Sequence, residues 1–193
     1  MTKKAGENWP RVVLIASFVP TCWLLMIVVH ECGHVAAGLL TGGSVERVVL
    51  HPLAISRTDF SVNPRPLFTC WAGPLVGAIF PVAVTIVWRI GRFRGWHLVQ
   101  FFAGFCLIAN GAYIGVGSFD HVGDAGDLQQ HGSPIWNLWL FGLVTVPSGL
   151  WLWHGLGRHF GLSGKPVSSR AAVGSVLVLV VVVILEVTFS NRI

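Results

Sequence analysis

Five long apolar runs constrain this chain more than any other feature of its sequence. They cover residues 12–40, 67–88, 98–119, 135–153 and 171–189. A helix needs about 20 apolar residues to cross the hydrocarbon core of a bilayer, and each run is about that long or longer. The chain is therefore predicted to be an all-α integral membrane protein, a bundle of about five transmembrane helices.

The composition excludes an ordinary soluble domain. Of the 193 residues, 53% are hydrophobic and 11% are charged, whereas a soluble domain carries about 25% charged residues. The formal net charge is +5, but the basic residues are spread over short flanks and loops. That distribution is typical of membrane topology and not of nucleic-acid binding. We expect one membrane-embedded domain over residues 1–193, without fused regulatory domains, that has the lipid bilayer and no nucleic acid as a partner.

The positions of the basic residues also predict the orientation. With a cytoplasmic N-terminus, nine of the 13 Lys and Arg residues lie on the cytoplasmic side of the predicted helices. Because cytoplasmic loops are enriched in these residues, we predict a multi-pass protein with its N-terminus in the cytoplasm. The short loops favour a bacterial cytoplasmic membrane. The nine are Lys3, Lys4, Arg11, Arg89, Arg92, Arg94, Arg158, Lys165 and Arg170, and the other four are Arg47, Arg57, Arg65 and Arg192.

The first apolar run contains the motif His-Glu-Cys-Gly-His at residues 30–34. Histidines four residues apart lie on one face of a helix, so His30 and His34 can reach a single zinc ion. Glu31 is turned by about 100° around the helix, within reach of a zinc-bound water whose proton it can take. In the competing interpretation the histidines hydrogen-bond to other helices and Glu31 lies at the interface. Ionisable groups are costly at membrane depth, and this spacing favours two zinc ligands and a catalytic base.

A catalytic zinc site usually has three protein ligands and one open position. The chain has eight acidic residues, and Asp120, Asp124 and Asp127 lie together after the third predicted helix. The first and third helices run in the same direction across the membrane, so their distal ends meet on one side. A solvated acidic loop is the alternative interpretation of this cluster. Its position beside the HExxH motif predicts that at least one of its members binds zinc.

These features resemble the site-2 protease family of intramembrane zinc metalloproteases. Members have an HExxH motif, commonly with glycine before the second histidine, as in HECGH here. The run WAGPL at 71–75 is similar to the Gly-Pro stretch on the next helix of the family. The resemblance covers roughly residues 12–130 and implies an endopeptidase that uses Zn²⁺. It further implies cleavage within or next to transmembrane segments of a membrane-protein substrate.

The second motif of that family, Asn-Pro…Leu-Asp-Gly, is altered in this chain. Asn110 lies in the expected helix, but Tyr113 stands where proline is expected and no Leu-Asp-Gly follows. The nearest match is the run Asp-Ala-Gly that starts at Asp124. The resemblance therefore implies Asp124 as the third zinc ligand, with Asp120 and then Asp127 as alternatives. Asn110 is expected to hydrogen-bond between helices and is a candidate for supporting the active site.

Two further predictions concern the segment after the first helix and the function. Residues 44–66 are expected to form either a short β-hairpin, whose edge strand would pair with an unwound substrate, or an ordinary exposed loop. Two other functions stay open besides proteolysis. One is a non-hydrolytic membrane metal-binding or transport protein, which would leave Glu31 without a role. The other is an inactive protease relative that acts as a regulatory partner.

Overall fold

The prediction of five membrane-spanning helices is confirmed by the structure. A computed structural model describes residues 8–162 and 166–190, and within them five helices are long and apolar enough to cross a membrane. The chain is thus a multi-pass membrane protein. These helices are α1 (Trp9–Leu40), α2 (Pro66–Ile90), α3 (Trp96–Asp120), α5 (Ile135–Trp153) and α6 (Ser169–Ser190).

Proline marks the start of three of these helices. Pro66 is the first residue of α2, Pro10 lies in the first turn of α1, and Pro134 directly precedes α5. Proline suits this position because the first backbone N–H groups of a helix have no partner within the helix. The HExxH motif lies in the last third of α1, which continues without a break to Leu40.

A two-stranded antiparallel hairpin follows α1. The prediction of a β-hairpin within residues 44–66 is therefore confirmed, and the alternative of an ordinary exposed loop is not. Strand β1 (Ser44–Val49) pairs with β2 (Arg57–Val62), in a register that sets Val48 opposite Thr58. Phe60 of β2 packs over Gly38 of α1, where any side chain larger than hydrogen would overlap the Phe60 ring. This contact holds β2 beside the end of α1 that carries the motif.

Helices α3 and α5 pack closely through glycines spaced seven residues apart on each helix. A Cβ atom added to Gly149 would lie 2.6 Å from the carbonyl oxygen of Gly104, and one added to Gly142 would lie 2.9 Å from that of Gly111. Small residues let membrane helices approach in this way. The packing fixes the position of α3, which carries Asn110 and Tyr113.

The acidic segment after α3 is a short helix and not the solvated loop that was the alternative prediction. Helix α4 (Gly123–Gln130) turns back against α3, through a left-handed backbone at His121 with φ of 54°. Ala125 and Leu128 are fully buried and belong to a cluster with Ile114 of α3. Because α4 has only eight residues and begins among acidic residues, its apolar face of two side chains is too short to be recognised in the sequence.

The last two parts of the fold lie away from the motif. A 3₁₀ helix (Leu156–Phe160) packs near the start of α1, and α6 packs along α1, where the hydroxyl oxygens of Ser17 and Ser175 are 2.6 Å apart.

The orientation in the membrane stays a prediction, and so does the single-domain assignment to residues 1–193. Four of the basic residues that entered the orientation lie outside the described residues, namely Lys3, Lys4, Lys165 and Arg192.

Candidate metal centre

His30 and His34 lie one helical turn apart on α1, and both side chains are buried. Their Nε2 atoms are 3.1 Å apart, and their ring centroids are 4.9 Å apart. The predicted placement of both imidazoles on one face of the helix is therefore what the structure has. Their Nδ1 atoms point away from each other, each toward a different neighbouring helix.

Two glycines allow α2 to come close enough to hold His34. A Cβ atom on Gly33 would lie 2.5 Å from the carbonyl oxygen of Ala72, and one on Gly73 would overlap the imidazole of His34. Gly33 is the glycine of HECGH, and Gly73 is the glycine of the WAGPL run. Both are thus needed for space, because backbone and imidazole occupy the volume that a side chain would take.

The proton of the neutral His34 ring is fixed on Nδ1. This atom lies 2.8 Å from the backbone carbonyl oxygen of Thr69, which can only accept a hydrogen bond. Nδ1 must therefore donate, and the lone pair of a neutral ring is left on Nε2. Thr69 is buried at the start of α2, and no sequence pattern marks a residue that contributes only its backbone carbonyl.

His30 is oriented in the same sense by Asn110. Its Nδ1 atom lies 2.6 Å from Asn110 Oδ1, while Asn110 Nδ2 donates to the carbonyl oxygen of Cys106 at 2.9 Å. The Cys106 carbonyl decides which end of the amide is which, so Oδ1 accepts from His30 and the His30 lone pair is on Nε2. A side chain at Gly77 would overlap the Asn110 amide. The predicted inter-helix role of Asn110 is thus present, and it is directed at the HExxH motif.

Asp124, in the first turn of α4, completes the group. Its Oδ2 atom lies 2.7 Å from His30 Nε2 and 3.3 Å from His34 Nε2. Burial by itself raises the pKa of the Asp124 carboxyl, but imidazoles that carry protons on Nε2 outweigh burial and hold that pKa below its usual range. The side chain is therefore a carboxylate at neutral pH.

Three acceptor atoms converge at this point, and their chemistry fits a metal cation. Both Nε2 atoms carry lone pairs when Nδ1 is protonated. The two oxygens of the Asp124 carboxylate can only accept hydrogen bonds. One shared proton would leave at least one of the three without a partner. Ligand atoms of a tetrahedral zinc site with bonds of about 2.0–2.1 Å are about 3.3 Å apart, close to two of the three observed separations, 3.1 and 3.3 Å.

The other members of the acidic cluster stand apart from this group. Within residues 8–162 and 166–190, His30, His34 and Asp124 are the one set of three or more potential ligands whose donor atoms lie within 4.8 Å of one another. Asp120 is exposed at the end of α3, and Asp127 lines the neighbouring cavity. The geometry favours Asp124 over these alternatives, and the assignment of all three ligands stays a prediction.

Glu31 is buried beside the histidines, with a side chain that reaches toward the hairpin. Its exposed fraction is 3%, and Thr58 of β2 donates a hydrogen bond of 2.8 Å to Glu31 Oε2. Thr58 was not singled out in the sequence, since only the pairing of β2 beside α1 brings it to the glutamate.

A cavity of about 920 Å³ opens onto the group and joins it to the hairpin. It is lined by the two histidines, Glu31 and Asp124, by residues of β2, and by Tyr113 of α3. In the sequence, Tyr113 stands out only as a departure from the family pattern. A cavity of this size has room for a stretch of peptide next to the glutamate.

The comparisons with known proteins give one match. The family model described as Peptidase M50B-like matches residues 9–115, a region that contains the HExxH motif, Asn110 and Tyr113 and ends before Asp124. No curated protein and no solved structure matches the chain. The match confirms the resemblance to the site-2 protease family and suggests an intramembrane protease. Because it covers more than half of the sequence, the chain belongs to the Peptidase M50B-like family.

Proposed function

We propose that this protein is an intramembrane zinc metalloprotease that hydrolyses peptide bonds within or next to transmembrane segments of membrane proteins. The observation that carries the proposal is the convergence of two Nε2 lone pairs and the Asp124 carboxylate beside a buried glutamate. Membership of a peptidase family supports the peptide bond as the target.

Each protein group has a defined part in the proposed reaction. Asn110 and the Thr69 carbonyl hold the Nδ1 protons of the histidines, so that both Nε2 atoms are free to bind the metal. Zinc, when bound by His30, His34 and Asp124, supplies a Lewis acid that lowers the pKa of water and polarises the scissile carbonyl.

Glu31 moves the proton. The Thr58 hydroxyl occupies Oε2 of Glu31, and we assign Oε1 to accept the proton of the attacking water. The same carboxyl then delivers that proton to the nitrogen of the leaving amine. A carrier that only binds metal would have no use for this group, so Glu31 separates hydrolysis from metal transport.

The substrate is proposed to enter the cavity in extended form beside β2. Residues 57–60 of β2 line the cavity, and an unwound transmembrane segment can add to a strand through backbone hydrogen bonds. With the N-terminus in the cytoplasm, α1 runs outward and the metal centre lies toward the outer side of a bacterial cytoplasmic membrane. This location follows from the positive-inside distribution alone.

Zinc content and cleavage test the proposal together. Detergent-purified wild-type protein is expected to hold about one zinc per chain, and His34→Ala and Asp124→Ala are expected to lose it. Asp120→Ala is the matched control, because this exposed carboxylate lies outside the group and its loss leaves zinc in place. Glu31→Gln is expected to keep zinc and to stop cleavage of a reporter with one transmembrane segment.

Two outcomes would refute the proposal. Wild-type protein without zinc after reconstitution at neutral pH would remove the metalloenzyme and favour a regulatory partner. A Glu31→Gln variant that keeps its biological function together with its zinc would favour a non-hydrolytic carrier.

A further inference from the structure

Tyr113 places its hydroxyl group next to the Asp124 end of the metal centre. The backbone N–H of Asp124 donates a hydrogen bond of 3.1 Å to the phenolic oxygen, and the Tyr113 ring lies edge-on to the His30 ring with centroids 6.0 Å apart. The ring contact limits how the side chain can turn. The hydroxyl is therefore held at a fixed point on the cavity wall.

Gly123 makes room for this hydroxyl. A Cβ atom at position 123 would overlap the phenolic oxygen of Tyr113, and the residue has φ of 55°, which glycine adopts most easily. Position 123 thus combines a left-handed backbone conformation with the smallest possible side chain at the point where Tyr113 makes contact. The arrangement brings the hydroxyl group of Tyr113, as well as its ring, to the site.

The proton of the Tyr113 hydroxyl is free to be donated. Since the oxygen accepts from Asp124 N–H, its own O–H points elsewhere, and it donates no hydrogen bond to another group within residues 8–162 and 166–190. The side chain lines the same cavity as Glu31. The Thr58 hydroxyl, which lines the same cavity, already donates to Glu31.

A fixed donor of this kind can assist peptide hydrolysis. The carbonyl oxygen of the scissile bond becomes an oxyanion as water adds, and a donor fixed in advance lowers the barrier to this step. We propose that Tyr113 is a catalytic residue that donates its O–H to this oxyanion. The phenol keeps its proton throughout, so the proton balance carried by Glu31 is unchanged. This inference rests on the proposed function, which it deepens by one residue.

The test compares wild-type protein with Tyr113→Phe, which keeps the ring against His30. For a cleaved reporter we expect kcat to fall about 100-fold, the size of effect seen when one oxyanion donor is removed, with KM unchanged. A phosphinic peptide, whose tetrahedral oxygens imitate the oxyanion, is expected to bind the variant with a similarly weakened Kd. The zinc Kd, measured by chelator competition, is expected to stay the same.

A second measurement does not depend on turnover. Tyr113 is the one tyrosine in the sequence, so 3-fluorotyrosine labelling gives a single ¹⁹F resonance. This resonance is expected to shift when the phosphinic peptide binds, and to shift less with a matched peptide amide.

Each contrary result has a distinct meaning. A weaker zinc Kd in Tyr113→Phe, with a proportional loss of activity, would show that the tyrosine only positions Asp124 and would overturn the inference. Unchanged kcat and unchanged analogue binding would overturn it as well, while leaving the protease intact. Wild-type protein that binds neither zinc nor the analogue would instead refute the proposed function, and this inference with it.

Discussion

His30 Nδ1 and Asn110 Oδ1 are 2.6 Å apart and join α1 to α3 through two buried side chains. The second hydrogen bond of this amide, from Nδ2 to the Cys106 carbonyl, leaves the oxygen no role except to accept. Asn110 thereby selects the tautomer of His30 whose lone pair faces Asp124. The geometry of the candidate centre therefore depends on a residue outside the predicted set of ligands.

Replacing Asn110 by alanine is expected to weaken zinc binding by about 10- to 100-fold, the usual effect of losing the partner of a metal-bound histidine. Chelator competition measures the change. Gln100→Ala is the matched control, since Gln100 lies on the same helix and donates to the Leu152 carbonyl, away from the centre. Equal losses of zinc affinity in both variants would mean that only the packing of α3 had been disturbed.

Replacing Gly73 by alanine is expected to abolish zinc binding, because the added methyl group would occupy the position of the His34 imidazole. The imidazole is confined by its bond to Thr69, so it can avoid the methyl group only by leaving its place beside His30 and Asp124. Gly174→Ala on α6 is the control, since nothing lies within 4 Å of a Cβ atom added there. The measurement is the zinc content per chain of the two variants. A Gly73→Ala protein with one zinc per chain would contradict the packing described for α2.

How much of this site the sequence predicts depends on whether the interacting residues are near each other or far apart along the chain. The spacing of His30 and His34 is local to one helix, so helical geometry places both imidazoles correctly. Hydrophobic length likewise predicts the five spanning helices, with ends that differ by three residues or fewer from those observed. The choice of Asp124 among the three aspartates is predicted only by resemblance to a family motif.

The contacts that complete the centre are long-range and leave no periodic signal. Thr58 and Glu31 are 27 residues apart in the chain, and His34 meets a backbone carbonyl 35 residues away. Helix α4 escaped prediction because the burial of Ala125 and Leu128 depends on the surface of α3 and α5. Only the folded structure brings these groups together.

Replacing Thr58 by valine is expected to lower kcat by about 10- to 150-fold while zinc content stays the same. The loss of a hydrogen bond to a charged group, of about 1.5–3 kcal/mol, would leave the Glu31 carboxylate poorly oriented for proton transfer. Thr58→Ser keeps the hydroxyl and is expected to retain most of the activity. Cleavage rates at saturating reporter concentration provide the measurement, and a serine variant as slow as the valine variant would point to the methyl group of Thr58 instead.

Removing zinc is expected to destabilise the wild-type protein, because three acceptor groups from α1 and α4 would then face one another without a cation. At a free zinc concentration 1,000-fold above Kd, bound metal contributes about 4 kcal/mol, or roughly 8–16 °C in Tm for a chain of this size. Thermal unfolding in detergent, with and without a chelator, measures the difference.

The matched control for this prediction is His34→Ala, which lacks one of the three ligands. Its Tm is expected to be the same with and without chelator, because the metal no longer bridges the two helices. A chelator effect of equal size in His34→Ala would show that the stabilising metal binds elsewhere.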